Sequence, residues 1–244
     1  MKHSETSMCT FCELANSAVT TDHPGAPYLI ARVNGFMLLS EREPLAAGHA
    51  LLVPDEHVSS LTQLRAERVL QAEQTAMRIA DGFSQSADTG TLVVEHGTAA
   101  GPHTALHIIP TDEAAAPWFE EQHLQRIADV WNLTELSSLY GSDYIFAQQF
   151  CQTGAAWYGE ELPPNWLHRL VVEQLGDDGW GWNQRLHHRG PEISSDAVRA
   201  NLALICDAVR PRSDATARSE LIRLENRVLK DAEFPRQRSS VSMP

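Results

Sequence analysis

Asn34-Gly35 stands between two short runs rich in β-forming residues, and that dipeptide admits few local outcomes. A two-residue hairpin loop needs positive φ at both central positions, which Asn and Gly tolerate best. The stretch PYLIARVNGFMLLS therefore predicts two antiparallel strands, 27–32 and 35–40. A polar connection, EREPLAAG, leads into HALLVP, a third short strand that Pro54 closes. Ser59 or Ser60 can cap the next element. Leu61, Leu64, Val69, Ala72, Ala76, Ile79, Ala80 and Phe83 fall near helical spacing, which predicts one long amphipathic helix to about residue 84. Gly90 precedes the apolar strand TLVVEH, and HTALHIIP is another strand ended by proline. Strands, one long helix and more strands make an α+β pattern.

The second half has a different texture. Residues 116–139 are expected to be helical and 144–149 to form a further strand. PPNWLHRLVVEQLG (163–176) reads as a helix, with proline in its first turn and glycine at its end. WGWNQR is a Trp-rich loop, and helices at 195–209 and 214–230 complete the pattern. Neither an internal repeat nor a low-complexity linker is evident, which favours one compact unit with an extension. The division expected is 1–115 for an α+β domain, 116–235 for a mostly helical extension packed on it, and 236–244 for a disordered tail.

The 244 residues carry a formal net charge of −13, which disfavours a general affinity for nucleic acid or anionic membrane. It leaves room for a nucleotide, because a local cluster of histidines and amide donors can hold phosphate in an acidic protein. Four cysteines fall as the pair Cys9 and Cys12 and two distant singles, Cys151 and Cys206, which is no secreted disulfide framework. The first twenty residues show no signal-peptide pattern, and no apolar run reaches about 18 residues. A cytoplasmic protein is expected.

His103-Thr-Ala-Leu-His107 lies on a predicted strand, where residues 103, 105 and 107 share a face. With GHALLVP and the long helix upstream, a Cys-x-x-Cys near the start, and EHG at 95–97, this resembles the histidine-triad superfamily. The likeness rests on the family's His-x-His-x-His motif and spans residues 9–110, with the EHG segment similar to one bacterial branch. The resemblance implies a HIT-like antiparallel sheet with one long helix. It also implies nucleophilic catalysis, in which the middle histidine attacks the α-phosphorus of a nucleotide anhydride, ester or phosphoramidate. Water then releases the nucleotide from the nucleotidyl-histidine.

Here that middle position is Ala105, whose methyl group can neither attack phosphorus nor carry a proton. The chain is then a natural binding-only member, a repurposed enzyme of other chemistry such as secondary metabolism, or a hydrolase or transferase whose nucleophile was replaced. The otherwise intact constellation favours an engineered replacement. The resemblance makes His107 the third motif position and His49 the histidine beside the phosphate. Glu41 falls where an aspartate often holds the ribose hydroxyls, and Glu95 and His96 fall where relatives carry a polar residue near the leaving group. Plainer readings stay open: His49 as a strand end, His96 as a turn residue, Glu41 as a solvated carboxylate, and His103 and His107 as core histidines.

The two-residue spacer lets Cys9 and Cys12 face one metal, although the same spacing suits a redox pair. Zinc-bearing relatives complete the set with two histidines, which correspond here to His57 and His103. Four protein ligands would leave no open position, so the zinc would be structural. Cys151 and Cys206 read as buried thiols, and His187, His188 and Arg189 as a solvated loop. Trp157, Trp166, Trp180 and Trp182 are expected to pack the extension against the core, with stacking on a nucleobase as the alternative. The expected partner is a nucleotide or nucleotidyl small molecule, and a homodimer is compatible with the pattern.

Overall fold

The computed structural model describes residues 9–16, 28–42, 44–87, 90–111, 124–159 and 195–209, with 162, 166 and 170 as single positions. The hairpin forms as its turn chemistry dictates. β1 (Leu29–Val33) and β2 (Phe36–Ser40) pair antiparallel with Val33 opposite Phe36, and Asn34 and Gly35 have φ of 50° and 73°. β3 (Ala50–Pro54) pairs with β2.

Ser60 does cap a helix, but a 3₁₀ turn at Leu61–Gln63, its hydroxyl accepting from the Thr62 N–H at 3.0 Å. The long helix α2 runs from Ala66 to Ala87. The sequence reading merges the two because Leu61 and Leu64 share the apolar periodicity of α2. Leu64 is nevertheless extended, at φ −79° and ψ 157°, and breaks the chain between them.

β4 (Thr91–Gly97) and β5 (Leu106–Pro110) follow. β5 begins three residues later than expected, because the Thr104 N–H turns away from the sheet to the Val58 carbonyl at 2.7 Å. Three further strands, β6 (Arg126–Val130), β7 (Tyr144–Gln149) and β8 (Gly154–Tyr158), continue the sheet from β4. The order is β1-β2-β3-β5-β4-β7-β8-β6, and every recorded pairing is antiparallel.

The helix expected over 116–139 is thus corrected. Within it lie strand β6 and a 3₁₀ helix at Leu133–Leu139. β6 is an edge strand in which Val130 alone is fully buried, so it never shows the apolar alternation that marks a strand.

Alternation sorts the sheet into two faces. Leu38, Ala50, Leu52, Val93, Leu106 and Ile108 face α2, where they meet Val69, Ala72, Ala76, Ile79 and Phe83. Helix α3 (Ser195–Val209) adds Leu202, Ile205 and Cys206 to the same layer. It lies so close to α2 that a Cβ on Gly82 would stand 1.8 Å from the Ala208 carbonyl oxygen. On the opposite face, the short helix α1 (Thr10–Asn16) buries Leu14 against Leu29, Met37, Leu39, Leu51 and Val53. Farther along that face, Leu170 and Trp166 pack with Val94, Ile109 and Trp157.

Positions 166 and 170 are helical, but the rest of 163–176 lies outside the described residues, as do Trp180, Trp182, His187, His188, Arg189, the helix expected at 214–230 and the tail. No helix among the described residues is long and apolar enough to cross a membrane.

Candidate functional site

The α1 face of the sheet gathers most of the described histidines. β3 and β5 pair with Leu51 opposite His107, so His107 shares that face with Leu51 and Val53. His49, just before β3, has the same parity and is buried. Its Nε2 lies 3.1 Å from Nδ1 of His107, with the rings 5.3 Å apart and tilted by 37°. The Leu45 N–H donates to His49 Nδ1 at 3.1 Å.

These contacts fix the protons. With Nδ1 occupied as an acceptor, a neutral His49 carries its hydrogen on Nε2 and donates it to His107 Nδ1. A neutral His107 then holds its own hydrogen on Nε2. A backbone amide thus orients one imidazole, which in turn orients the next, a half-buried ring whose Nε2 then carries the proton. Such a donor suits an anionic oxygen.

Glu41 belongs to the same group. Its N–H donates to the His49 carbonyl at 3.0 Å, and its carboxylate and the two imidazoles offer ligand atoms within 4.8 Å of one another. Three such groups could in principle hold a cation. A metal on His49 Nε2, however, would displace that nitrogen's proton while Nδ1 still faced the Leu45 N–H, leaving an imidazolate. The set is therefore better built to donate and to bind hydroxyls than to bind a metal.

Ala105 is partly buried and packs against the cluster of Leu29, Met37, Leu39, Leu51 and Val53 under α1. Across the sheet, Val94 pairs with His107 and Glu95 with Leu106, so His96 has the strand parity of Val94 and His107. Burial pushes the His96 imidazole pKa down, against a smaller opposing pull from Asp143, and the ring stays neutral near pH 7.

Glu95 points the other way, into the helix-covered layer. Its Oε1 accepts from the Leu61 N–H at 2.7 Å and the Thr104 hydroxyl at 2.9 Å, and its Oε2 accepts from the Tyr144 hydroxyl at 2.6 Å. Complete burial raises its pKa to about 7 despite these three donors. The expectation that Glu95 stands near the leaving group takes no account of strand parity. Val94 and His96 have the parity of His107, and Glu95 does not.

The second constellation is Cys9, Cys12, His57 and His103, from α1 and its start, the loop after β3 and the segment before β5. Cys9 and Cys12 Sγ each lie 3.6 Å from His103 Nδ1, and Cys12 Sγ lies 3.2 Å from His57 Nδ1. A tetrahedral zinc with ordinary Zn–S and Zn–N bonds has S···N edges of about 3.6 Å. His103 Nε2 bonds to the Pro54 carbonyl at 2.8 Å, which places its proton there and leaves Nδ1 for the metal, as second-shell orientation requires. Burial lowers the His103 pKa, favouring the neutral ring that ligates. Burial, and then Cys9 beside it, raise the Cys12 thiol, a crowding that a cation would relieve. The four residues fit zinc, and this donor set is supported where the Glu41 set is not.

The sequence reading missed Asn201. This fully buried carboxamide on α3 contacts Ser40, Gly48 and His49. Its signal was present as one polar residue on the apolar face of ANLALICDAV. Cys206 is buried as expected, whereas Cys151 is exposed at a positive φ of 62°.

Residues 28–114 match the family model of the HIT domain. No curated protein matches the chain. Among solved structures, it is similar to a Zn-bound histidine triad family protein from Mycobacterium smegmatis at 22% identity, covering 45% of this chain and 78% of that one, with a TM-score of 0.35. A hypothetical histidine triad nucleotide-binding protein from Sulfolobus tokodaii is 25% identical, covering 43% and 70% of the two chains at a TM-score of 0.35. Yeast Ap4A phosphorylase Apa2 in complex with AMP is 12% identical, covering 75% and 81% at 0.38. The HIT domain match thus spans β1 to β5 together with α2, and the remainder of the chain lies outside it.

Proposed function

We propose that this chain binds a nucleotide with its phosphate against His49 and His107, on the sheet face that carries Ala105. The observation that carries this reading is the directed series from the Leu45 N–H through His49 to His107, which presents an imidazole donor beside Ala105 inside a HIT domain. Glu41 lies near enough to accept from ribose hydroxyls, and His96, of the same strand parity as His107, is assigned to the leaving-group side. Glu95 is assigned to holding the strand and loop behind the pocket.

As written, the protein binds without turnover. The Ala105 methyl offers no electron pair to phosphorus, and its packing against the α1 layer leaves it well accommodated. With histidine in place of Ala105, the same pocket would act as a nucleotidyl hydrolase or transferase. An imidazole nitrogen would form the N–P bond as the α-phosphorus–leaving-group bond breaks, the leaving group taking a proton. Water or an acceptor would then cleave N–P and restore the ring. A natively non-catalytic binding module and a repurposed enzyme of the same pocket remain the competing readings.

Zinc on Cys9, Cys12, His57 and His103 is proposed to be structural. Four protein ligands close its coordination sphere, and the site ties α1 to the segment entering β5.

Calorimetry with a nucleoside monophosphate tests the pocket. His49→Ala and His107→Ala should each weaken binding by roughly tenfold or more, the usual share of a charge-assisted hydrogen bond. Ala105→His should create hydrolysis and acid-labile labelling of the protein, since loss of a nucleophile in other covalent enzymes costs about 10⁶-fold. Undiminished binding by both alanine variants would show that the phosphate lies elsewhere. An Ala105→His variant that binds but neither turns over nor labels would favour the competing readings.

A further inference from the structure

We propose that Asn201, on helix α3 outside the HIT domain, is a positioning residue that sets the direction of His49 and so completes the pocket from the extension. The proposal rests on the reading of His49 and His107 as phosphate contacts, but its geometry stands apart from the identity of any ligand.

Asn201 is fully buried, and all the polar capacity its carboxamide needs to satisfy is spent on one short stretch of chain. Oδ1 accepts from the Gly48 N–H at 2.5 Å. Nδ2 donates to the Ser40 hydroxyl at 2.7 Å and to the His49 carbonyl at 3.1 Å. The amide before His49 and the carbonyl of His49 itself are thus held by one rigid planar group, and Ser40 ties that group to the end of β2.

The loop has no room to escape this clamp. Gly48 sits at φ +91°, and a Cβ there would lie 2.8 Å from the Phe83 ring and 2.9 Å from Pro110. His49 is bound on its own account as well, its N–H donating to the Ala46 carbonyl at 3.1 Å and its carbonyl accepting from the Glu41 N–H at 3.0 Å. With its backbone fixed, the His49 ring meets the Leu45 N–H at Nδ1 and directs Nε2 to His107. The series therefore begins in α3 and ends at the imidazole that would meet phosphate.

A purely packing role does not explain this residue. Its neighbours on α3, Leu202 and Ile205, are apolar and buried in the same layer, where a leucine would serve. A buried amide is costly unless its groups are satisfied, and here each partner lies in the loop that carries His49 or at the strand end beside it. The HIT domain of residues 28–114 does not contain this clamp.

The test uses the full zinc-loaded chain labelled with ¹⁵N-histidine. Long-range ¹H–¹⁵N spectra report which ring nitrogen of His49 carries the proton, and calorimetry reports affinity for adenosine monophosphate as the probe. In the parent, His49 should hold its proton on Nε2. Asn201→Ala should mix the two tautomers and weaken the probe by roughly tenfold, about the share of one misdirected hydrogen bond to an anion. Asn201→Asp keeps an acceptor for the Gly48 N–H but places negative charge against the His49 carbonyl, and it gives the same readout should the alanine variant fail to fold. Ile205→Val on the same helix is the packing control, lowering Tm with tautomer and affinity unchanged. The proposal is overturned if both Asn201 variants keep the parental tautomer and an affinity within twofold, or if Ile205→Val shifts the tautomer as far as they do. A parent that does not bind the probe would refute the nucleotide reading, while the tautomer measurement would still decide the clamp.

Discussion

Replacing Glu95 by glutamine should remove a pH dependence of folding whose size follows from its burial. The carboxyl is enclosed by Leu61, Thr104 and Tyr144, and desolvation lifts its pKa from 4.5 to about 7. Between those values the folded chain binds a proton that the unfolded chain has released. Stability therefore falls as pH rises through this window, and the loss is complete above the folded pKa. A shift of this size is worth about 3 kcal/mol in all, most of which is lost between pH 5 and pH 8. Glutamine is isosteric and mimics the protonated acid. Its Nε2 can donate to the Tyr144 oxygen while the Tyr144 hydroxyl turns to Ser60 Oγ, 3.0 Å away. Urea unfolding of both proteins from pH 5 to pH 8 checks this, and their difference cancels titrations elsewhere. Glu95→Gln should gain about 2 to 3 kcal/mol on the parent across that interval. A difference constant to within about 0.5 kcal/mol would refute the argument, because it would mean that Glu95 titrates alike folded and unfolded.

Two further outcomes follow from the site. Protein never exposed to chelator should carry about one zinc per chain by elemental analysis, and Cys9→Ser or Cys12→Ser should lower Tm well before it lowers nucleotide affinity, since a closed site stabilises without touching ligand. Gly48→Ala should cost more than about 1 kcal/mol by thermal unfolding, because a side chain at φ +91° meets Phe83 and Pro110 at once. Full stability in that variant would show that the loop before β3 is softer than its contacts imply.

What was legible in the sequence was local or periodic. Asn34-Gly35 specified its hairpin because the positive φ of both residues is a property of the dipeptide itself. Ala105 and His107 were placed on one face by parity, whereas His49 joined them only through likeness to relatives; β3 and β5 hold their parity because each buries its alternate side chains against α2. The same rule applied to β4 would have turned Glu95 inward. Likeness to relatives puts Glu95 in the pocket, while the strand's own alternation of Val93, Val94, Glu95 and His96 says otherwise.

What was not legible depends on partners distant in the chain. β6 is a strand because β8 offers it an edge, and nothing in RIADV demands that pairing over a helical turn. Asn201 meets Gly48 across 153 positions, through a helix whose docking on α2 is decided by the bare surface of Gly82. Yet a buried amide among Leu202, Ile205 and Cys206 is an energetic anomaly that a sequence can display, because burial without partners would cost what the fold could not recover. Such a residue announces that a polar loop must lie within reach of its helix, though not which one. Here that loop is the one carrying His49, so a residue outside positions 28–114 holds the loop of the candidate site.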